Sequence, residues 1–301
     1  MGKWLKSPQT LLFEVRDKIA YVTFNRPEQR NAQNLLAMQE MNAAMLEADD
    51  LKAVHCIVLA GNGKDFCAGA DISGAPAGAG VEYDLADYRG GRGSYDDDAW
   101  AVERASGLRL IMQQIHKPVI AKVHGHCVAV GTDIALACDI VICSHDAKIG
   151  FPATRALGSP ASHMWLYLCG PQWTKRLLMT GDLVTGRKAE RLGLVLQSVP
   201  RADLDAAADK LAHRIALIEP QLLAAHKRIV NVGLELMGWG TLQRMAAEND
   251  ARAHLSPAFQ EFFTNARELG LKEALRRRDA PYGDRTNEPY ADSLIKDEGE
   301  D

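Results

Sequence analysis

The chain has no pair of cysteines at CxxC spacing, and a disulfide framework is not expected to organise its fold. Its six cysteines, Cys56, Cys67, Cys127, Cys138, Cys143 and Cys169, fall mostly in apolar segments, as reduced core residues of a cytoplasmic protein would. Excess charge of one sign is also lacking: 35 Lys and Arg against 39 Asp and Glu leave a formal net charge of −4, with no global attraction for nucleic acid. No apolar run is long and charge-free enough to span a membrane. The opening "MGKWLKSPQT" lacks the continuous apolar segment of a signal peptide. Lys6 stands where a myristoylation motif wants Ser or Thr, so neither leader nor lipid anchor is expected. What remains is a globular composition, 47% hydrophobic and 25% charged in 301 residues, suited to one large core with an appendage and to small-molecule partners.

Strand-like and helix-like segments alternate through the first half. "LLFEV" and "IAYVTF" flank the polar turn "RDK" and predict a hairpin, after which Leu35, Met38, Met41 and Met45 recur at helical spacing. "VHCIVLA", "PVIAKV" and "DIVIC" predict further strands separated by helices, hence a mainly parallel sheet with crossovers. The pattern fails between Ile72 and Asp98, a Gly-, Ala- and Asp-rich stretch expected to form a lid loop over residues 73–98. Residues 1–201 are expected to be the core and 202–284 a helical region broken at Pro220, Gly238 and Pro257. The acidic tail, 285–301, is expected to be disordered.

Two aspartates, Asp133 and Asp139, lie in the apolar run "VAVGTDIALACDIVIC". A buried carboxylate costs several kcal/mol unless it is hydrogen-bonded or paired, so each must be satisfied or used. Six residues correspond to about 240° on a helix, so the two do not share a face. Upstream, "CIVLAGNGKDFCAGADI" places a buried strand before a loop of small residues, where a ligand can approach the backbone and use its amides.

Together with "NRPEQRNAQN" before it, "KPVIAKVHGHCVAVGTDIALACDI" after it and the later "LLMTGDLVTGRKAERLGLV", this loop resembles the crotonase superfamily of enoyl-CoA hydratases and isomerases, from about Leu11 to Asp284. The resemblance implies an α/β spiral of repeated ββα units followed by helices used for oligomerisation as a homotrimer or hexamer. It also implies a coenzyme A thioester as substrate, so coenzyme A enters with the substrate and no other cofactor is expected. The backbone amides of Ala70 and Val130 would form an oxyanion hole for a thioester enolate, each donor worth about 3 kcal/mol. The Ala68 carbonyl would meet the adenine amino group, while Lys64 and Arg30 would face the coenzyme phosphates. Val130 replaces the glycine common at its place, and its β-branched side chain restricts the backbone. Asp71 reads as a turn cap, and Asp139, in the "CDI" connector, as structural.

Asp133 falls where many hydratases carry their first catalytic glutamate, and Ala153 falls where they carry the second. Hydration activates water at one carbon and delivers a proton at the next, work usually shared between two carboxyls. Hydration of simple enoyl-CoAs is therefore expected to be poor, and isomerisation by Asp133 alone is the mechanistic alternative. Acyl-CoA hydrolysis, carbon–carbon cleavage and a non-catalytic acyl-CoA-binding subunit stay open. His163, Ser159, Ser162, Arg155, Glu82, Asp84 and Asp96 to Asp98 are possible helpers without a spacing that fixes a role. His124 and His126 alternate at a strand end without a third ligand, so no metal is expected. The basic "KEALRRRD" is short and reads as a solvated helix face rather than an RNA-binding stripe.

Overall fold

A computed structural model describes residues 2–73 and 94–283, so most of the expected lid, with Glu82 and Asp84, and the acidic tail lie outside the described residues. The first hairpin pairs β1 (Leu11–Arg16) with β2 (Ile19–Phe24), Arg16 opposite Ile19. Its two-residue turn puts Asp17 and Lys18 at φ 50° and 66°, matching the right-handed twist of the strands. Helix α1 (Leu35–Asp50) starts at Asn34, whose side chain accepts the Ala37 amide at 2.9 Å. Strand β3 (Cys56–Gly61) then pairs parallel to β2.

Asp96, Asp97 and Asp98 are helical and not in the loop expected for them. They form the first turn of α2 (Tyr95–Arg109), where Ser94 caps the Asp97 amide and the three acids face the positive end of the helix dipole. After α3 (Ile111–Gln114) come β4 (Val119–Val123), β5 (His126–Val128), α4 (Val130–Ala137), β6 (Ile140–Ser144) and β7 (Lys148–Gly150). Helix α5 (Trp165–Thr180), β8 (Leu183–Thr185), α6 (Gly186–Arg191) and β9 (Gln197–Val199) complete the strand-bearing part. Helices α7 (Leu204–Ala216), α8 (Pro220–Leu236), α9 (Trp239–Ala253), α10 (Pro257–Leu269) and α11 (Leu271–Asp279) follow.

Six strands form one sheet in the order β1-β2-β3-β4-β6-β9, parallel except for the hairpin, and three form another in the order β5-β7-β8. Bridges from Cys67 to Cys127 and from Ala70 to Gln33 carry the second layer further. Successive units thus give one extended segment to each layer before turning into a helix: β3 with Cys67–Ala70, β4 with β5 and α4, β6 with β7 and α5. This is the expected spiral of ββα repeats.

Side chains alternate along the central strands and serve two cores. Ile57 and Leu59 join Phe24, Met41, Met45, Phe66 and Ile134 between the layers. Cys56 and Val58, on the opposite face, pack with Ile19, Ile120 and Ile142 beneath Leu204, Ala212 and Ala216 of α7. All six cysteines are unpaired, and burial pushes the Cys56, Cys67 and Cys143 thiols up to about 12, so they remain neutral packing groups.

Asp139 is structural, as expected, although α4 ends before it and the helical phase between the two aspartates does not apply. Its Oδ2 accepts the Val119 amide at 2.7 Å and the Lys227 ammonium at 2.8 Å. Lys227 also donates to the Met112 and Lys117 carbonyls, fastening α8 to the sheet end.

Candidate active site

The residues that carry chemistry meet at the N-terminus of α4. Gly125, at φ 57°, makes the turn between β4 and β5, and a Cβ there would lie 2.0 Å from the Lys64 carbonyl oxygen. That close passage seats β5 beside the small-residue loop. Asp65 accepts the His126 amide at 2.8 Å and pairs with Arg30 at 2.6 Å; burial opposes its ionisation, but these bonds hold its carboxyl well below the usual range. Gly131 brings the start of α4 onto the same loop, since a Cβ there would sit 2.6 Å from the Cys67 carbonyl oxygen.

The bridge between Gln33 and Ala70 spends the neighbours of Ala70 rather than Ala70 itself. The Gln33 amide donates to the Gly69 carbonyl at 2.8 Å, and the Asp71 amide donates to the Gln33 carbonyl at 3.0 Å. In parallel pairing this turns the Ala70 N–H to the opposite side. Val130 is the first residue of α4, so its amide is one that the helix leaves unspent. Neither amide has an acceptor among the described residues. A Cβ on Gly69 would lie 3.9 Å from the Val130 nitrogen, which places the two segments side by side.

Val130 itself is helical, and the unusual backbone falls one residue earlier. Ala129 sits at φ 50°, ψ −123°, a region that non-glycine residues enter at a cost of about 1–3 kcal/mol. It is held there by the bond from its amide to the Gly150 carbonyl at 3.1 Å. Its own carbonyl accepts from the Thr132 amide at 2.8 Å and the Thr132 hydroxyl at 2.6 Å.

Ala70, Val130 and Asp133 line one cavity of ≈ 560 Å³ with Ala68, Arg30 and Ala153. Asp133 is only 3% exposed and its Oδ1 has no hydrogen-bond partner among the described residues. Burial, opposed by the Arg109 charge and reinforced by Asp250, pushes its carboxyl up to about 7. Such a group can both hold and release a proton near neutral pH. Arg109, on α2, is itself 5% exposed; it donates to the Ser106 hydroxyl at 2.9 Å while its Nε has no partner among the described residues.

The other expected residues separate. Lys64 is exposed and does not line the cavity, and Arg30 lines it while held by Asp65. Asp71 caps its turn as expected: although burial works against ionisation, bonds from Ser73 and Arg26 keep its carboxyl below the ordinary range. His124 contacts the Gly63 carbonyl and His126 the Asp65 carboxylate, so both rings are engaged by the loop that follows β3. Arg155 is committed to Asp182 and Asp279, and His163 lies off the cavity wall. In "KEALRRRD", Glu273 pairs with Arg276 and Arg277 at the surface, whereas Arg278 is buried against Asp279 and lines the cavity. That last position departs from a purely solvated face.

A family model described as enoyl-CoA hydratase/isomerase matches residues 14–283. The chain belongs to the enoyl-CoA hydratase/isomerase family. It is 34% identical over 233 residues to a probable enoyl-CoA hydratase of Rhizobium meliloti, covering 76% of this chain and 84% of the relative. An enoyl-CoA hydratase from Mycobacterium smegmatis superposes with a TM-score of 0.84 at 38% identity, over 92% of this chain and 95% of that one. An enoyl-CoA hydratase/isomerase from Xanthobacter autotrophicus Py2 gives a TM-score of 0.81 at 31% identity, over 91% and 99%.

For a member of this family, the cavity holds polar residues that the sequence reasoning missed. Arg109, Asp250 and His254 all line it, brought from α2, from α9 and from just past the end of α9. One local signal was readable: Ser94 followed by three aspartates marks the start of α2, the helix that ends in Arg109.

Proposed function

We propose that the protein is an acyl-CoA enzyme of the hydratase/isomerase type that works through a thioester enolate. The Ala70 and Val130 amides hold the enolate oxygen and Asp133 moves the proton at the α-carbon. The observation that carries this reading is the coincidence, on the wall of one cavity, of two amides and a buried carboxyl oxygen that have no partner among the described residues. Fixed donors in a water-poor site are worth about 3–4 kcal/mol each against developing charge. The Ala68 carbonyl would take the adenine amino group and Arg30 and Lys64 the phosphates, coenzyme A arriving only as part of the substrate. Isomerisation by Asp133 alone is a second reading, favoured by Ala153, which lines the cavity but brings no acid to it.

A homotrimer or hexamer is part of the proposal. Ile229, Val230, Leu236 and Met237 on and just after α8 are left largely exposed in the single chain, an apolar face suited to another subunit. No described helix is long and apolar enough to cross a membrane, and the six reduced cysteines suit a cytoplasmic location.

Purified protein incubated with a panel of acyl- and enoyl-CoAs and followed by mass spectrometry tests the reading. Addition of water to an enoyl-CoA, or a double-bond shift seen by absorbance at constant mass, is the expected outcome. Binding of CoA-free acyl analogues as tightly as the thioesters would refute the substrate class.

A further inference from the structure

The oxyanion amides and Asp133 leave one part of the cavity wall unexplained. His254 Nδ1 lies 2.7 Å from Asp98 Oδ2, and its Nε2 lies 3.7 Å from Asp250 Oδ1. The ring also packs on Phe259, with centroids 4.7 Å apart, so Asp98 and Phe259 set its orientation and leave Nε2 toward Asp250. Asp250 Oδ1 accepts the Ser159 amide at 2.7 Å, while Oδ2 has no protein partner among the described residues. The Asp250 and His254 side chains are only 14% and 11% exposed, and both residues line the cavity that holds Asp133.

The backbone opposite is shaped to admit this carboxylate. Gly158 takes φ 133°, and a Cβ there would fall 2.2 Å from Asp250 Oδ1 and 3.3 Å from His254 Nε2. Gly158 directly continues the turn that carries Ala153, whose carbonyl accepts the Leu157 amide at 2.6 Å. The side of the cavity that lacks an acid in sequence therefore receives one from α9 in space.

We propose that Asp250 is the second acid–base residue of this site, oriented by His254 and Asp98 as positioning residues. The proposal rests on the enolate reading above and extends it to hydration of a 2-enoyl thioester. Asp250, as carboxylate, takes a proton from water while the water oxygen bonds to C3. The C2=C3 π pair shifts toward the thioester, and the resulting enolate oxygen is held by the Ala70 and Val130 amides. Protonated Asp133 then gives its proton to C2 and the carbonyl re-forms. One water is added; the proton gained by Asp250 and lost by Asp133 returns by exchange with solvent.

The test uses the full chain, Asp250→Asn and His254→Gln, with three readouts: hydration of a panel of trans-2-enoyl-CoAs, α-hydrogen exchange of butyryl-CoA in D₂O, and butyryl-CoA affinity. Exchange needs only Asp133 and the two amides. Asp250→Asn should lower hydration at least ~100-fold and leave exchange and affinity within about threefold. His254→Gln should lower hydration about tenfold and displace the acidic limb of its pH profile. Adding Ala153→Glu to Asp250→Asn should restore part of the hydration. If Asp250→Asn does not fold, Asp250→Ser keeps an acceptor for the Ser159 amide and should give the same selective loss. Undiminished hydration in a folded Asp250 variant would overturn the proposal, as would a parallel fall in exchange, which would show Asp250 acting through Asp133. Wild-type exchange without hydration of any enoyl-CoA would also overturn it. Absence of both reactions in the wild type would instead refute the enolate reading underneath.

Discussion

Replacing Asp133 by Asn should make the protein more stable at alkaline pH while disabling it. Burial raises the Asp133 carboxyl from an ordinary 3.8 to about 7, so the folded state binds its proton more tightly than the unfolded state does. Below pH 4 both states are protonated and the residue costs nothing through ionisation. As pH rises through the window from about 4 to 7, the unfolded chain ionises while the folded chain does not, and stability falls by about 1.4 kcal/mol per pH unit. The accumulated cost is about 4 kcal/mol above pH 7, to order of magnitude. Asn cannot ionise, so it removes this cost and leaves only a pH-independent offset for its own unpartnered amide. Asp139 and Asp250 are also raised by burial, but they are present in both proteins and largely cancel in the difference. Urea unfolding of both proteins at one fixed concentration, from pH 4 to pH 8, measures it. The difference should move in favour of Asn with rising pH and level off above pH 7. A difference independent of pH would show that the Asp133 carboxyl is not held by burial as the structure indicates.

Lys227→Met leaves the buried Asp139 carboxylate uncompensated, and should cost about 3–5 kcal/mol in urea unfolding at neutral pH; a loss under 1 kcal/mol would show that Val119 and water suffice. Gly131→Ala puts a methyl against the Cys67 carbonyl and pushes α4 away from Ala70. It should cost about 1–3 kcal/mol of stability by thermal melting, with a larger proportional loss of α-hydrogen exchange than of butyryl-CoA affinity. Lys64→Ala should weaken acyl-CoA binding several-fold by calorimetry, and the effect should shrink with added salt because an exposed charge is screened. A loss unaffected by salt would remove Lys64 from the phosphate contacts.

The hairpin, the central strands and the small-residue loop were readable because their causes are local: alternation, apolar runs, and a turn at Asp17 and Lys18. That Asp133 needed an account was readable too, since an acid in so apolar a run must be satisfied or used; its catalytic assignment came from the resemblance and not from composition. The unusual backbone beside Val130 was not readable, because it falls on Ala129 and depends on the Gly150 carbonyl, a partner distant in sequence. Asp98 was read as part of a loop from composition alone, and the capping signal of Ser94 was missed. Asp250 and His254 carried no such signal. Their place on the cavity wall follows from the packing of α9 against α2 and from the space left by Gly158, neither of which is written in any short stretch of sequence.

The central claim is that Asp133 and the two amides together form a thioester enolate. Its most direct measurement is α-hydrogen exchange of saturated butyryl-CoA in D₂O, read as a mass increase, for the wild type and Asp133→Asn side by side. The wild type should exchange the α-hydrogen, and Asp133→Asn should slow that exchange by ~10²-fold or more while binding butyryl-CoA as before. Equal exchange by the two proteins, or none by the wild type despite tight binding, would contradict it.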